Sequence, residues 1–335
     1  MEHGRAATAK ATIIDVARSA GVSPATVSRV LTGAKAVSVD LERRVRDAVE
    51  QLGYRPNPAA QGLLRGTTHA VGVVVPDLGN PYFAEVLKGV TAAAAAADFR
   101  TLVTDTDEQP GAEFEAAREL ARWADGVVLC APRMSDADLT QLAGVVSQLV
   151  CVNRIEATQA IRSVSVDFAA GITLLCEHLK SLGHQRIVYL RGPGHAWSER
   201  ERERALGQAA RAGMDIVQVP CGAHRQDGYA AADQALAIGG TAIIAFSDYV
   251  ALGVLARLRE LGVSVPGEMS LAGFDNISFA GLVAPSLTTV AVDTQDLGRQ
   301  GWSLLFGERS RDPRRGGVSV HPEIIVRAST APPAA

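Results

Sequence analysis

Two groups of residues in this chain of 335 have the types and spacing to do chemistry. The first is Ser23-Pro24-Ala25-Thr26-Val27-Ser28-Arg29, which on a short helix turns Val27 inward and sets Ser23, Pro24, Ala25, Thr26, Ser28 and Arg29 outward. Short hydroxyls in such a row suit phosphate oxygens, and an arginine among them can reach a base edge in a groove. The second group stands at the ends of apolar runs: Pro76-Asp77, Asp105, Pro132-Arg133, Asn153-Arg154, Asp167, Arg191, Ser247-Asp248 and Asp275-Asn276. Carboxylates and guanidinium forks together hold adjacent hydroxyls, each of which donates and accepts, so this chemistry is polyol recognition. Leu78, Phe83, Trp197 and Phe274 can add an apolar or stacking wall. Enzyme chemistry has no such support: there is no GxSxG elbow, P-loop, HExxH or dinucleotide GxGxxG after a strand, and no cofactor is expected. Cys130, Cys151, Cys176 and Cys221 are scattered without a CxxC pair, which excludes a zinc site and reads as free thiols of a reducing cytoplasm.

The first group needs helices to hold it. Ile13, Ile14, Val16, Ala17 and Ala20 fit one helix, and Gly21 sits where a turn wants positive φ. A second helix runs from about Pro24 to Leu31, capped by Ser23, opened by Pro24 and ended by Gly33. A third, about Val39 to Leu52, has Leu41, Val45, Ala48, Val49 and Leu52 at helical spacing. Val22, Val27 and Val30 close a small core. This is helix-turn-helix spacing, although a plain helical hairpin fits it as well. Gly53 to Pro58 then breaks the pattern as a linker.

The second group needs sheets. From His69 onward, apolar β-branched runs alternate with amphipathic helical stretches. Strands are predicted at Ala70–Val75, Arg100–Thr104, Gly126–Cys130, Leu149–Val152, Ser163–Val166, Arg186–Leu190, Asp215–Val219, Ala242–Phe246, Met269–Ala272 and Thr288–Val292. Near-continuous apolar strands separated by helices indicate parallel sheets covered on both faces, and ten of them indicate two sheets. Ligands of such sheets bind beyond the carboxyl ends of strands, so the polar ends would face each other across a cleft. Charge follows the same division. Residues 1–70 carry a net +4 and the remainder −7, within a total of −3. A basic head on an acidic body suits a polyanion-binding unit attached to a body with another task. The longest apolar runs are too short to span a membrane.

The residues Ile14-Asp15-Val16-Ala17, Gly21-Val22-Ser23, Thr26-Val27-Ser28-Arg29-Val30-Leu31, Gly53-Tyr54-Arg55-Pro56-Asn57, Leu182-Gly183-His184, Val265-Pro266, Gly273-Phe274-Asp275 and Pro285-Ser286-Leu287-Thr288-Thr289-Val290 come in one order. In that order the chain resembles the lactose-repressor (LacI/GalR) family from Thr12 almost to the C-terminus. The fold implied is an N-terminal all-α helix-turn-helix headpiece plus an α/β periplasmic-binding-protein-like domain of two lobes, each a parallel doubly wound sheet. Its implied divisions are a disordered stretch at 1–10, a headpiece at 11–56, a hinge helix and linker at 57–68, and an effector-binding and dimerisation domain at 69–328. The N-lobe takes about 69–164 and 293–319, the C-lobe about 165–292 and 320–328, and a tail 329–335.

The resemblance implies a cytoplasmic, nucleoid-associated transcription regulator, a repressor by default. It would bind a near-palindromic double-stranded operator as a homodimer, away from any membrane, under allosteric control by a small polar effector of the sugar class. The alternative switch is a partner protein or a non-sugar metabolite. The implied DNA-facing set is Thr12, Ser23, Pro24, Ala25, Thr26, Ser28, Arg29, Tyr54, Asn57, Ala60 and Leu63. Pro24, Ala25 and Arg29 match base-reading positions, Tyr54 and Asn57 backbone contacts, and Leu63 a minor-groove wedge beside the small Ala60. Pro58–Leu64, which carries that wedge, also reads as a plain linker. The implied effector-facing set is Leu78, Asn80, Phe83, Asn153, Arg154, Trp197, Arg202, Ser247, Asp248 and Asp275. Phe168 stands where the family often has a polar residue. Several of these positions have plainer readings: Asp248 and Asp275 as helix caps, Trp197 as local packing, and Arg202 as part of the solvated charge run Glu199–Arg204.

Overall fold

Helix α1 (Ile13–Ala20) starts at Thr12 because that residue and Asp15 cap each other: Thr12 N donates to the Asp15 carboxylate at 2.9 Å, and Asp15 N to the Thr12 hydroxyl at 3.4 Å. It stops at Gly21, whose φ of +66° is the left-handed turn that glycine adopts without strain. The computed structural model describes residues 11–32, 37–55, 67–155, 161–307 and 317–334. The chain forms two compact units, Met1–Thr68 and His69–Ala335. In the first, α1, α2 (Pro24–Thr32) and α3 (Val39–Gln51) enclose Val16, Ala17, Ala20, Val27, Val30, Val45 and Ala48. Arg44 reaches back from α3 to donate to the backbone carbonyl of Ala20, tying down the end of α1. Residues 1–10 and Gly33, expected as a disordered start and a helix stop, lie outside the described residues.

The second unit begins with β1 (Ala70–Val75), β2 (Arg100–Asp105), β3 (Gly126–Cys130), β4 (Leu149–Val152) and β5 (Arg162–Val166). With β11 (Val318–Val320) they make one parallel sheet in the order β11-β5-β4-β3-β1-β2. The period-two alternation of strand side chains divides its two faces. Val71, Val73 and Val75 face the core shared with the helices Pro81–Ala96 and Thr294–Phe306, while Val74 joins the core of the helices Pro110–Leu120 and Asp136–Val145. A second parallel sheet has the order β7-β6-β8-β9, from β6 (Arg186–Arg191), β7 (Asp215–Pro220), β8 (Ala242–Ala245) and β9 (Ser270–Ala272). Ile187 and Tyr189 of β6 pack toward the helices Phe168–Ser181 and Trp197–Arg211; Val188 and Leu190 pack toward Arg225–Ala237 and Asp248–Glu260.

All ten expected strands are present, the last as β10 (Thr289–Ala291), which pairs antiparallel with β12 (Glu323–Ile325). The chain passes between the lobes three times: from β5 to the helix at 168, from β10 to the helix at 294, and from β11 to β12. The third passage lies between the other two, with Val320 beside Val166 and Glu323 beside Ala291. The expected tail is not loose. The Ser329 hydroxyl donates to Leu271 O at 2.5 Å and accepts from Thr288 N at 2.8 Å, and Ala331 O lies 2.9 Å from His184 Nε2. A segment without apolar pattern is held here by backbone, hydroxyl and imidazole hydrogen bonds. Among the described residues, no helix is long and apolar enough to cross a membrane, and none of the four cysteines is in a disulfide.

Candidate DNA-reading face and interlobe cavity

On α2 the outward residues are the ones the helical spacing selects. Ser23, Pro24, Ala25 and Arg29 are exposed, Thr26 and Ser28 half-buried, and Val27 and Val30 buried in the core. The Ser23 hydroxyl accepts from Thr26 N at 3.2 Å and meets the Thr26 hydroxyl at 2.9 Å, so this end of the helix is capped from within. Arg29 Nε donates to Ala25 O at 3.3 Å, which lays its guanidinium along the exposed face. Thr12 is exposed at the start of α1 and Tyr54 packs half-buried against the headpiece core. Asn57, Ala60 and Leu63 lie outside the described residues.

Between the two lobes of the body lies a small, partly open cavity. Residues at the carboxyl ends of strands line it, as parallel sheets arrange. The first lobe supplies Asn80, Tyr82 and Phe83 after β1, Glu108 after β2, Arg133 after β3 and Asn153 after β4. Asn80 caps the following helix by accepting from Tyr82 N at 3.1 Å. Asn153 sits in the left-handed region at φ +62° and donates from Nδ2 to the Tyr82 hydroxyl at 2.5 Å. Arg133 is held bidentately by Glu108 at 2.7 and 2.8 Å, and its own N–H by the Glu113 carboxylate at 2.7 and 2.8 Å. Glu113, 1% exposed, also accepts from Met134 N at 2.7 Å. Burial pushes its carboxyl above the usual range against the pull of those donors.

The second lobe supplies Phe168, Ser198, Arg202, Phe246, Ser247 and Asp275. Arg202, expected to face the effector with a solvated charge run as the plainer reading, is 2% exposed. Its guanidinium carbon lies 4.5 Å from the ring centre of Phe168, 4.5 Å from that of Phe246 and 4.4 Å from that of Phe274. The rings come this close because glycines stand behind two of them. A Cβ on Gly192 would lie 2.3 Å from the Phe246 ring, and one on Gly171 2.6 Å from Phe274. Burial raises the Asp275 carboxyl to about 7, against the opposing pull of Arg202 and Arg133. The lobes also touch at the rim, where His224 Nε2 lies 3.9 Å from Asp77 and Arg200 Nη1 3.7 Å from Asp136.

Of the expected effector set, Asn80, Phe83, Asn153, Arg202, Ser247 and Asp275 come together on this cavity; Leu78, Arg154, Trp197 and Asp248 do not. Leu78 is exposed, its backbone held by Asp105 at 2.9 Å. Arg154 faces a neighbouring cavity and is spent on Met134 O at 2.5 Å, Pro132 O at 3.1 Å and Asp136 at 2.5 Å. Trp197 stands behind Phe168, ring centres 6.1 Å apart. Asp248 is fully buried and ties two chain segments together, accepting from the Thr289 hydroxyl at 2.6 Å and Ile277 N at 2.9 Å. Tyr82, Glu108, Ala131, Arg133, Phe168, Ser198, Ala223 and Phe246 line the cavity but are absent from the expected set. For Arg133 and Phe246 the signal was available, since both stand at the end of an apolar run.

A helix-turn-helix unit followed by a two-lobed α/β body with a polar interlobe cavity defines the class of transcription regulators built on a periplasmic-binding-protein-like core. Residues 12–57 match the family of bacterial regulatory proteins of the lacI type, and residues 176–330 match the periplasmic binding protein-like domain. The HTH-type transcriptional regulator GalR of Escherichia coli (strain K12) is 33% identical over 325 residues, 95% of this chain and 94% of that protein. The crystal structure of the lac repressor dimer bound to operator and the anti-inducer ONPF matches at 25% identity with a TM-score of 0.85, covering 96% of this chain and 100% of that one. A transcriptional regulator CelR-cellobiose complex matches at 27% identity and TM-score 0.69 over 95% and 99% of the two chains. The chain belongs to the LacI family of bacterial regulatory proteins, and its relatives are regulators, not enzymes.

Proposed function

We propose that this chain is a repressor that binds a near-palindromic operator as a homodimer in the cytoplasm, and that a small polar ligand of the sugar class in the interlobe cavity sets its affinity for DNA. The observation that carries the reading is the shared lining of the cavity. Asn153 and Arg133 come from one lobe, Arg202 and Asp275 from the other, so a ligand touching both favours one arrangement of the lobes. The lac repressor structure, with operator and anti-inducer bound together, and the cellobiose complex support it by analogy. In the headpiece, residues 11–56, Arg29 is the main polar base reader, with Pro24 and Ala25 offering shape and methyl contacts. Tyr54 and Asn57 hold the backbone. Within residues 57–68, Leu63 wedges into the minor groove, with Ala60 beside it.

Ligand and operator are linked through one chain, so each changes the other's affinity by the same factor. The test is a pair of titrations: operator DNA by fluorescence anisotropy with and without sugar, and sugar by calorimetry with and without operator. Equal and reciprocal factors are expected. A sugar that binds yet leaves operator affinity untouched sinks the control mechanism.

A further inference from the structure

Three buried arginines surround the cleft, and two of them are compensated. Arg133 has the Glu108 carboxylate and Ala131 O; Arg154 has Asp136 and two backbone carbonyls. Arg202 has neither. Its Nε and Nη1 are buried without a hydrogen-bond partner, and among the described residues no carboxylate forms an ion pair with it. Three phenylalanine rings occupy its flanks instead. Ring quadrupoles favour a cation, but they do not accept N–H bonds in the guanidinium plane as oxygen does. Glu199 and Asp275 lie near enough for Arg202 to favour their ionised forms, but neither carboxylate pairs with it directly. A buried cation with no anion in contact is costly, and that contact is what a ligand can bring.

We infer that the ligand of this cavity carries an oxyanion, a carboxylate or a phosphate, which pairs with Arg202; the inference rests on the sugar-class reading above and narrows it to acidic sugars. The lining agrees. Arg133 is already paired with Glu108, so among the described lining residues Arg202 is the cation without an ion pair. Asp275 is the other ionisable group of the second lobe on this cavity. Its carboxyl, raised to about 7, is protonated in a large share of molecules at neutral pH and can then donate to the same oxyanion. Phe168, Phe246 and Phe274 keep water from the pair and so strengthen it. A neutral polyol would satisfy the donors of Arg202 yet bring no anion into contact with it.

The experiment is calorimetric titration of the full-length protein with matched pairs: glucuronate against glucose, galacturonate against galactose, and glucose 6-phosphate against glucose. At least one acidic member is expected to bind tenfold or more tightly than its neutral parent, and the pair in which this happens separates carboxylate from phosphate. Arg202→Gln should bring that ratio close to one, and Arg202→Lys, which keeps the charge and loses the fork, should restore part of it. Thermal melting of each variant verifies that it is folded. If the neutral sugar binds as tightly as its acid and shifts operator affinity, the oxyanion is wrong while the repressor reading stands. If Arg202→Gln weakens acid and neutral sugar by one factor, Arg202 is only a hydrogen-bond donor and the inference fails. Silence from every pair overturns the acidic ligand and the sugar class together.

Discussion

The headpiece and the interlobe cavity are recognition surfaces of opposite construction. In the headpiece, Val16, Ala17, Ala20, Val27, Val30, Val45 and Ala48 fill the core, no charged residue among the described ones is buried, and Arg29 and Ser23 lie outside. Around the cavity the residues that face a ligand are themselves core: Arg133, Asn153, Arg202 and Asp275 are all buried. An outward group such as Arg29 adds little to the core and can serve a partner. A buried polar group must be satisfied whether or not a ligand is present, so its neighbours decide what it does.

The sharpest way to break this contrast is Glu113→Ala. The change leaves the buried N–H groups of Arg133 and Met134 unpaired and should cost about 3 kcal/mol. The body's melting temperature is then expected to fall by roughly 6–12 °C in scanning calorimetry. An unchanged transition would mean that the cavity wall is not part of the fold's core. Next in size is Val27→Ala, which opens a void in a core of seven buried residues and should destabilise the headpiece by about 2 kcal/mol, read by chemical denaturation. Its neighbour on the outer face sharpens the point. Arg29→Ala should move headpiece stability by less than about 0.5 kcal/mol while losing about 1–3 kcal/mol of discrimination against wrong bases, measured by competition between operator variants. A large stability loss in that variant would erase the distinction drawn above.

The last test is a slope. Because Asp275 titrates near 7 when folded and near 3.8 when unfolded, the folded state holds its proton longer. Stability therefore falls as pH rises from about 4 to about 7. Asp275→Asn should flatten the decline of melting temperature over that window; an equal or steeper decline would show that other groups carry it.

The sequence alone was sufficient for the strands β1 to β10 and the three headpiece helices, because each lies in a run of apolar residues at its own period. The three-residue strands β11 and β12 carry no such run. Val318–Val320 exists as a strand because Val164–Val166, distant in the chain, lies beside it. Residue type located the cavity, and geometry then redistributed the parts. Asn153 turns through positive φ, so it faces the cavity while Arg154 faces another. Asp248 has the type of a ligand-binding carboxylate, but Ile277 and Thr289 claim both of its oxygens. By composition alone Arg202 is one charge among six; the family resemblance singles it out, and the approach of Phe168, Phe246 and Phe274 from three strand ends gives that choice its geometry.

The three side-by-side passages between the lobes have a mechanical consequence. One connecting strand would leave a lobe free to swing and twist about any axis. Three in a row, laced by the pairs at Val320 and Ala291, act as the leaves of a door hinge: bending across the row is soft, while shear and torsion are stiff. The body therefore has close to one degree of freedom, the angle of opening, and a molecule wedged in the jaw can do little except set it.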